Sequence, residues 1–197
     1  MITPYESVVL DIGTGDGRFV SSMAKLRPDA FFIGVDANVK PLEKPSMKAT
    51  RKPAKGGLPN AMFVQAAVEN LPEEFAGAVS EIHINFPWGS LLRAVAIGDA
   101  GILGSLRSIA RPGAALEILL GVDQERDRAE LHRLGIPQID ASYIRSGLIP
   151  NYESAGFSLI EFREMASPEW AKIETSWAKK LSGNESRSVY RMVFQAT

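Results

Sequence analysis

The chain has 197 residues, 45% hydrophobic and 23% charged, with a formal net charge of −1 and no cysteine, which suits one soluble domain with a full core and excludes a disulfide framework or a thiolate metal site. His83 and His132 are its only histidines, too few for a histidine zinc site. No apolar run of about 18 residues marks a membrane span and no basic-then-apolar leader precedes the first strand, so a cytoplasmic protein with no metal and no membrane contact is expected, and the near-zero charge argues against binding nucleic acid by bulk electrostatics.

Ser7–Ile12 reads as a strand running straight into Gly13-Thr14-Gly15-Asp16-Gly17-Arg18. A dinucleotide turn reads G-x-G-x-x-G, its third glycine letting the helix pack beside a pyrophosphate. Here Arg18 holds that place, and Asp16 would repel a diphosphate. Asp11 and Asp16 suit a cationic ligand instead. S-Adenosylmethionine, with a sulfonium, an α-amino group and no phosphate, fits that description. A helix over Asp16–Leu26 follows, with Phe19, Val20, Met23 and Leu26 on one side. Phe31–Val35 is the second strand, ending at Asp36, about twenty residues past the turn, where an acid accepts hydrogen bonds from ribose hydroxyls; the alternative is a helix N-cap.

A helix over Val39–Arg51 stops at Pro53 and Gly56-Gly57, and Ala61–Gln65 is the third strand. Val68 and Glu69 come just after it, where a side chain meets the adenine end of a nucleoside cofactor or, for Glu69, starts a helix as a favourable acid. Val79–Ile84 is the fourth strand, leading into Asn85-Phe86-Pro87-Trp88-Gly89. Methyltransferases of exocyclic amines carry Asn/Asp-Pro-Pro-aromatic here; this chain has Phe86 in place of the first proline. A tryptophan after a proline at a strand's carboxyl end is a poor core position, so Trp88 is read as a stacking surface. Ala100–Ala110 is a helix closed by Arg111-Pro112-Gly113, and Ala115–Leu120 is the fifth strand.

The rhythm then breaks. A polar segment, Asp123–Asp140, holds a short helix around Ala129–Leu134; Tyr143–Ala155 is helical; Phe157–Phe162 is a strand; Glu164–Ser182 is a second insertion; and Ser188–Phe194 closes the chain as a hairpin strand. The expected fold is α/β and Rossmann-like: a seven-stranded, mainly parallel sheet with an antiparallel C-terminal strand, of the class I S-adenosylmethionine-dependent methyltransferase type. A single domain over 1–197 is expected, with inserted segments at about 121–141 and 164–185 gathering over the carboxyl edge of the sheet, the substrate side.

Charge is unevenly spread. Lys48, Arg51, Lys52 and Lys55 fall in a stretch free of acids, and Lys172, Lys179, Lys180, Arg187 and Arg191 gather near the end, while acids concentrate in Asp123-Gln124-Glu125-Arg126-Asp127. A basic face on a neutral body suits a phosphate-rich partner; the alternative is solvated helix surface. Trp177, followed by Lys179 and Lys180, is either a helix anchor or a second stacking wall for a flipped base. Trp170 is read as packing.

With these residues assembled, the chain resembles the aminoglycoside-resistance methyltransferases that modify N1 of adenine 1408 in 16S rRNA, through Asp11-Ile12-Gly13-Thr14-Gly15-Asp16-Gly17-Arg18, Arg51-Lys52-Pro53-Ala54-Lys55-Gly56-Gly57, Phe86-Pro87-Trp88-Gly89-Ser90-Leu91-Leu92 and Ser176-Trp177-Ala178-Lys179-Lys180-Leu181. The resemblance implies that Trp88 and Trp177 sandwich the flipped adenine, with the Pro87 carbonyl orienting its amino group. It implies that Asp11, Gly13, Asp36, Glu69, Ser90 and Thr175 line the cofactor pocket, to which Gly15, Val68 and Asn85 are added by their places in the turn and at the strand ends. Lys48, Lys52, Lys55 and Arg187 match positions that grip rRNA phosphates, with Arg51, Lys179 and Lys180 beside them. Two departures stand out: Asn85 sits where relatives carry an apolar residue, and Glu185 where one can carry a base. The implied partner is 16S rRNA in the assembled small ribosomal subunit, met by a monomer.

Adenine N1 carries an in-plane lone pair, so no general base is needed, and catalysis becomes positioning and exclusion of water. Two rivals remain from the residues alone: a methyltransferase for another RNA base, such as a tRNA enzyme or one acting on an exocyclic amine, and a cofactor-binding rRNA-binding protein without transfer activity.

Overall fold

The computed structural model, which describes residues 5–175, 178, 179 and 187–197, has strands at Ser7–Ile12 (β1), Ala30–Asp36 (β2), Ala61–Gln65 (β3), Val79–Asn85 (β4), Ala110–Val122 (β5), Phe157–Met165 (β6) and Ser188–Ala196 (β7). They form one sheet in the order β3-β2-β1-β4-β5-β7-β6. β1 pairs in parallel with β2 and β4, β2 with β3, and β4 with β5, while β7 runs antiparallel between β5 and β6. The connectivity reverses direction between β1 and β4. In such a sheet that switch point opens a crevice at the strands' carboxyl ends.

Helices Arg18–Leu26 (α1) and Val39–Ala49 (α2) follow β1 and β2. Gly89–Ile97 (α3) and Ala100–Ile109 (α4) separate β4 from β5, and the short helices Arg128–Arg133 (α5), Ala141–Tyr143 (α6), Ile149–Ser154 (α7) and Ser167–Trp170 (α8) lie in the later connections. Near-continuous apolar strands are what a sheet covered on both faces needs. Leu10, Ile12, Ile33, Ile82, Ile84, Leu116 and Ile118 enter one large core with Leu92, Val95, Leu103 and Leu106, while Val9 and Phe32 pack against Val20 and Ala24 of α1 in a smaller one.

Five differences from the sequence reading have physical causes. α1 begins at Arg18 rather than Asp16, because its N-cap Gly17 sits at φ +68°, a left-handed conformation outside the helix. Leu26 does not share the buried side with Val20; it is 73% exposed, and Ala24 takes the inward place. The predicted elements lack α3, whose opening Gly89-Ser90 carries no strong helix-start signal, yet Leu92, Ala94, Val95 and Ala96 are all buried. β5 starts at Ala110, the last residue of the expected Ala100–Ala110 helix and ahead of the expected start at Ala115: Ala110 pairs with Val79 and Ala115 with Glu81, so Arg111–Ala114 form an irregularity inside the strand. The expected Tyr143–Ala155 helix is a composite run, α6 and α7 joined by a π-turn over Ile144–Leu148.

The sheet face shared with α1 changes character beyond β1. Arg27 forks onto Glu81 at 2.9 and 2.7 Å, and His83 stacks near Phe19. Farther along the same face, Arg191 bridges Glu117 and Glu161, and Glu161 also meets Arg163. Above this charged strip, toward the carboxyl edge, a third apolar cluster gathers Phe86, Leu119, Met165, Trp170, Ala178 and Val189.

Asn60 is an unanticipated buried polar residue. Its amide donates to the carbonyls of Ala24 at 2.8 Å, Arg27 at 3.2 Å and Ala30 at 3.0 Å, tying the end of α1 to the start of β2. Removing that donor strands buried acceptors, which costs about 1–3 kcal/mol. Asn60→Ala is expected to lower the melting temperature by about 3–10 °C; thermal unfolding unchanged from wild type would contradict this account.

Candidate active site

The crevice at the switch point is a cleft of about 470 Å³. Its floor is the glycine turn. Gly13 and Thr14 donate backbone N–H groups to the Val35 carbonyl at 2.8 and 3.0 Å, locking the turn to β2. Gly13 and Gly17 both have positive φ, and a Cβ at either would lie 2.7 Å from Leu91 or 2.5 Å from Phe63. Conformation favours glycine at both positions, and at Gly17 crowding by Phe63 and Pro45 adds to it. Asp36 seals the turn from the other side, accepting from the Gly15 N–H and the Asn38 N–H, each at 2.9 Å. A carboxylate has about four acceptor sites; two remain for hydroxyls in the cleft.

Asp11 is the last but one residue of β1 and Asn85 ends β4, and they meet across the switch point: Asn85 Nδ2 donates to Asp11 Oδ1 at 3.1 Å. Burial pushes the Asp11 carboxyl up from its ordinary 3.8 to about 6, with Thr14, His83 and Asn85 partly opposing the shift. A buried acid kept uncomfortable by desolvation, in a cleft, is a group awaiting a cation.

Beyond Asn85 the chain turns sharply. Phe86 has φ +50°, the sole positive φ at a described non-glycine residue. Such a conformation costs on the order of 1–3 kcal/mol and persists only when its surroundings hold it. They do: its N–H donates to the Leu119 carbonyl at 2.9 Å, and its ring packs edge-on to Trp170 with centroids 6.0 Å apart. Gly121 leaves room for the ring, since a Cβ there would come within 2.9 Å of it. This turn puts Pro87 and Trp88 on the cleft wall at the start of α3, with Trp88 39% exposed. Trp170 is fully buried, as packing requires.

All nine residues read as cofactor contacts line this one cleft: Asp11, Gly13, Gly15, Asp36, Val68, Glu69, Asn85, Ser90 and Thr175. Thr175 arrives from the second insertion, where its Oγ1 accepts from the Ala178 N–H at 2.9 Å, leaving the hydroxyl proton to donate elsewhere. The sequence reading missed Phe19, Asn38 and Pro41 in the lining. Asn38 had a signal, since its side chain caps α2 by accepting from the Lys40 N–H.

Of the basic residues, Lys48, Arg51, Lys52, Lys55 and Lys179 are exposed. The Arg51–Gly57 loop is rigid: the Lys52 carbonyl accepts from the Lys55 and Gly57 N–H groups at 2.7 and 3.2 Å, and a Cβ on Gly57 would collide with the Arg51 carbonyl at 1.7 Å. Arg187 departs from expectation. Its side chain is buried, with Nη1 2.6 Å from Asp127 and 3.1 Å from the Gly121 carbonyl, so it is an internal ion pair in this structure and not a phosphate-facing cation. Asp123 and Asp127 are buried as well, so the acidic run 123–127 presents Glu125 and Arg126 to solvent. Trp177, Lys180 and Glu185 lie outside the described residues.

Residues 1–196 match the family described as NpmA, 16S rRNA (adenine(1408)-N(1))-methyltransferase. The chain is 36% identical over 184 residues to the 16S rRNA (adenine(1408)-N(1))-methyltransferase of Streptoalloteichus hindustanus, covering 93% of this chain and 84% of that one. Among solved structures it resembles the aminoglycoside resistance methyltransferase NpmB1, at 47% identity and a TM-score of 0.86 over 100% of this chain and 90% of that one. It also resembles a tryptophan-to-alanine mutant of the Catenulisporales acidiphilia 16S rRNA (adenine(1408)-N(1))-methyltransferase solved with cosubstrate SAM, at 31% identity and a TM-score of 0.90, covering 100% and 88%.

The Asp11 shift carries a stability consequence. A carboxyl whose pKa folding raises contributes stability that is fully present below its unfolded value of 3.8 and is lost as pH climbs through about 6. Above that pH the unliganded protein bears the cost of an ionised, buried Asp11, on the order of 3 kcal/mol at one pH unit per 1.36 kcal/mol. Asp11→Asn, which keeps an acceptor for Asn85, is expected to stabilise the unliganded protein by about 1–3 kcal/mol at pH 7.5, with the gain vanishing below about pH 4. Denaturant unfolding across that range checks it; a variant no more stable than wild type at pH 7.5 contradicts the assigned cause.

Proposed function

Because the chain belongs to the 16S rRNA (adenine(1408)-N(1))-methyltransferase family, we propose that the β1–β4 cleft holds S-adenosylmethionine and that the target adenine docks against Trp88 at its mouth. The enzyme uses S-adenosylmethionine to methylate N1 of adenine 1408 in 16S rRNA, a modification that gives aminoglycoside resistance. The observation that carries the site assignment is the single cleft shared by Asp11, Asp36, Asn85, Pro87, Trp88 and Thr175. The donor set fits this cofactor: a buried carboxyl that favours a cation and a half-used carboxylate for ribose hydroxyls.

S-Adenosylmethionine supplies an electrophilic methyl group on a sulfonium. Asp11 faces the cationic end and Asp36 the ribose, with Val68 and Glu69 at the adenine end. The Thr175 hydroxyl donates from the opposite wall. Trp88 offers a half-exposed ring on which the target base stacks, an interaction worth about 1–3 kcal/mol per base. The family resemblance implies a second stacking wall at Trp177, which lies outside the described residues. N1 attacks with its own lone pair, so these side chains bind, orient and exclude water, and none has to remove a proton before transfer. The exposed loop bearing Lys48, Arg51, Lys52 and Lys55, with Lys179, grips phosphates. A net charge of −1 is too small for tight sequence-independent binding, so recognition rests on the shape of folded rRNA in the assembled small subunit.

Reverse transcription of small-subunit rRNA incubated with enzyme and S-adenosylmethionine is expected to stop at adenine 1408, because N1 methylation blocks Watson–Crick pairing. Methyl incorporation without that stop would move the reaction to an exocyclic amine. Trp88→Ala is expected to cut turnover by about ten- to hundredfold while leaving cofactor affinity within about twofold, given the value of one stacked base. Wild-type turnover in that variant removes Trp88 from the site.

A further inference from the structure

A ladder of alternating charges crosses three strands and ends on the insertion that closes the cleft. On β5, Glu117 accepts from Arg191 of β7 at 3.1 Å through each oxygen. Arg191 Nη1 reaches Glu161 of β6 at 2.5 Å, and the other Glu161 oxygen accepts from Arg163 Nε at 2.8 Å. Arg163 then forks onto Glu169 of α8, with Nη1 to Oε2 at 2.7 Å and Nη2 paired to Oε1. Every link uses an arginine, and the two end links are bidentate, the geometry in which an ion pair gains most.

α8 is held from both sides. Glu169 faces the ladder. Trp170, the next residue, is buried against Phe86, the strained residue that sets the Pro87–Trp88 wall. From α8 the chain runs through a chain of short hydrogen-bonded turns to the cleft: Ala171 N–H to the Ser167 carbonyl at 3.2 Å, Ile173 N–H to the Trp170 carbonyl at 3.1 Å, and Thr175 N–H to the Ile173 carbonyl at 2.7 Å. These bonds link Glu169 to Thr175 along a continuous run of backbone turns, a route by which the position of α8 bears on the cleft wall.

We infer that Glu169, clamped by Arg163 at the end of the Glu117–Arg191–Glu161 ladder, is a positioning residue for cofactor binding: it sets α8 so that Thr175 meets the cleft. The inference rests on the cleft being the S-adenosylmethionine site. It explains why a partly exposed pair, worth little to global stability on its own, is tied into a five-member network whose far end lies two strands away.

The test compares Glu169→Gln, Arg163→Met and the double variant by calorimetric titration with S-adenosylmethionine, alongside thermal unfolding. Each single variant is expected to weaken the cofactor Kd by about fivefold, and the double variant to weaken it no further. Ile109→Val, a trim of the core in α4, serves as the control: it is expected to lower the melting temperature comparably without changing the Kd. An unchanged Kd in both single variants, a double variant that loses the sum of the two, or a control that weakens binding equally overturns the positioning role. Wild-type protein that fails to bind S-adenosylmethionine overturns the cleft assignment, and the positioning role with it; wild-type binding beside unaltered variants overturns the positioning role alone.

Discussion

The hydrogen bond from Asn85 to Asp11 spans the point on which the molecule turns. It joins the carboxyl ends of β1 and β4, the two parallel neighbours from which the chain crosses over in opposite directions. No crossover helix can fill the gap above such a pair, and a cleft is left. Asp11 is buried there, its carboxyl pushed up to about 6 by desolvation. The fold thus keeps an acid where it is costly to the empty protein and useful to a cationic ligand. That exchange of stability for function is the usual character of a binding site.

The rest of the site consists of supports for that cleft. The glycine turn is pinned by its N–H groups to the Val35 carbonyl and the Asp36 carboxylate, and its positive φ angles at Gly13 and Gly17 would strain any side chain there. The opposite wall hangs on Phe86, whose strained backbone is held by Leu119, Gly121 and Trp170. Trp170 therefore does more than fill space. It packs the second insertion against the turn that carries Trp88, so the cleft wall bearing Thr175 and the wall bearing Trp88 share one buried contact. The cluster of Phe86, Leu119, Met165, Trp170, Ala178 and Val189 sits where the sheet, lower down, is lined with paired charges. The insertion thus covers only the functional end.

Much of this was legible before folding. Strand–turn–helix rhythm, the altered third glycine position and an acid ending β2 each act locally, so their sequence order is enough to read them. The nine residues read as cofactor contacts come from five separate stretches, and a Rossmann-like topology brings such stretches to one edge regardless of detail. α3 was illegible because its opening Gly89-Ser90 gives no start signal; packing of Leu92 and Val95 into the core makes the helix. The extent of β5 was hidden for a related reason: Pro112-Gly113 breaks a helix and is tolerated as an irregularity where Ala110 already pairs with Val79.

By itself the sequence narrowed the ligand chemistry to be looked for: acids and an arginine at the third motif position for a cationic nucleoside, Trp88 after Pro87 as a surface for a base, and a run of cations at 48–55 that suits phosphate. Charge in the sequence did not determine charge at the surface. Asp123 and Asp127 read as an acidic run and Arg187 as a free cation, but burial converts Asp127 and Arg187 into an internal pair at 2.6 Å. Only the tertiary structure could decide this. A charge counts toward a surface only if its partner is water, and whether water or another residue is nearest depends on contacts sixty positions apart.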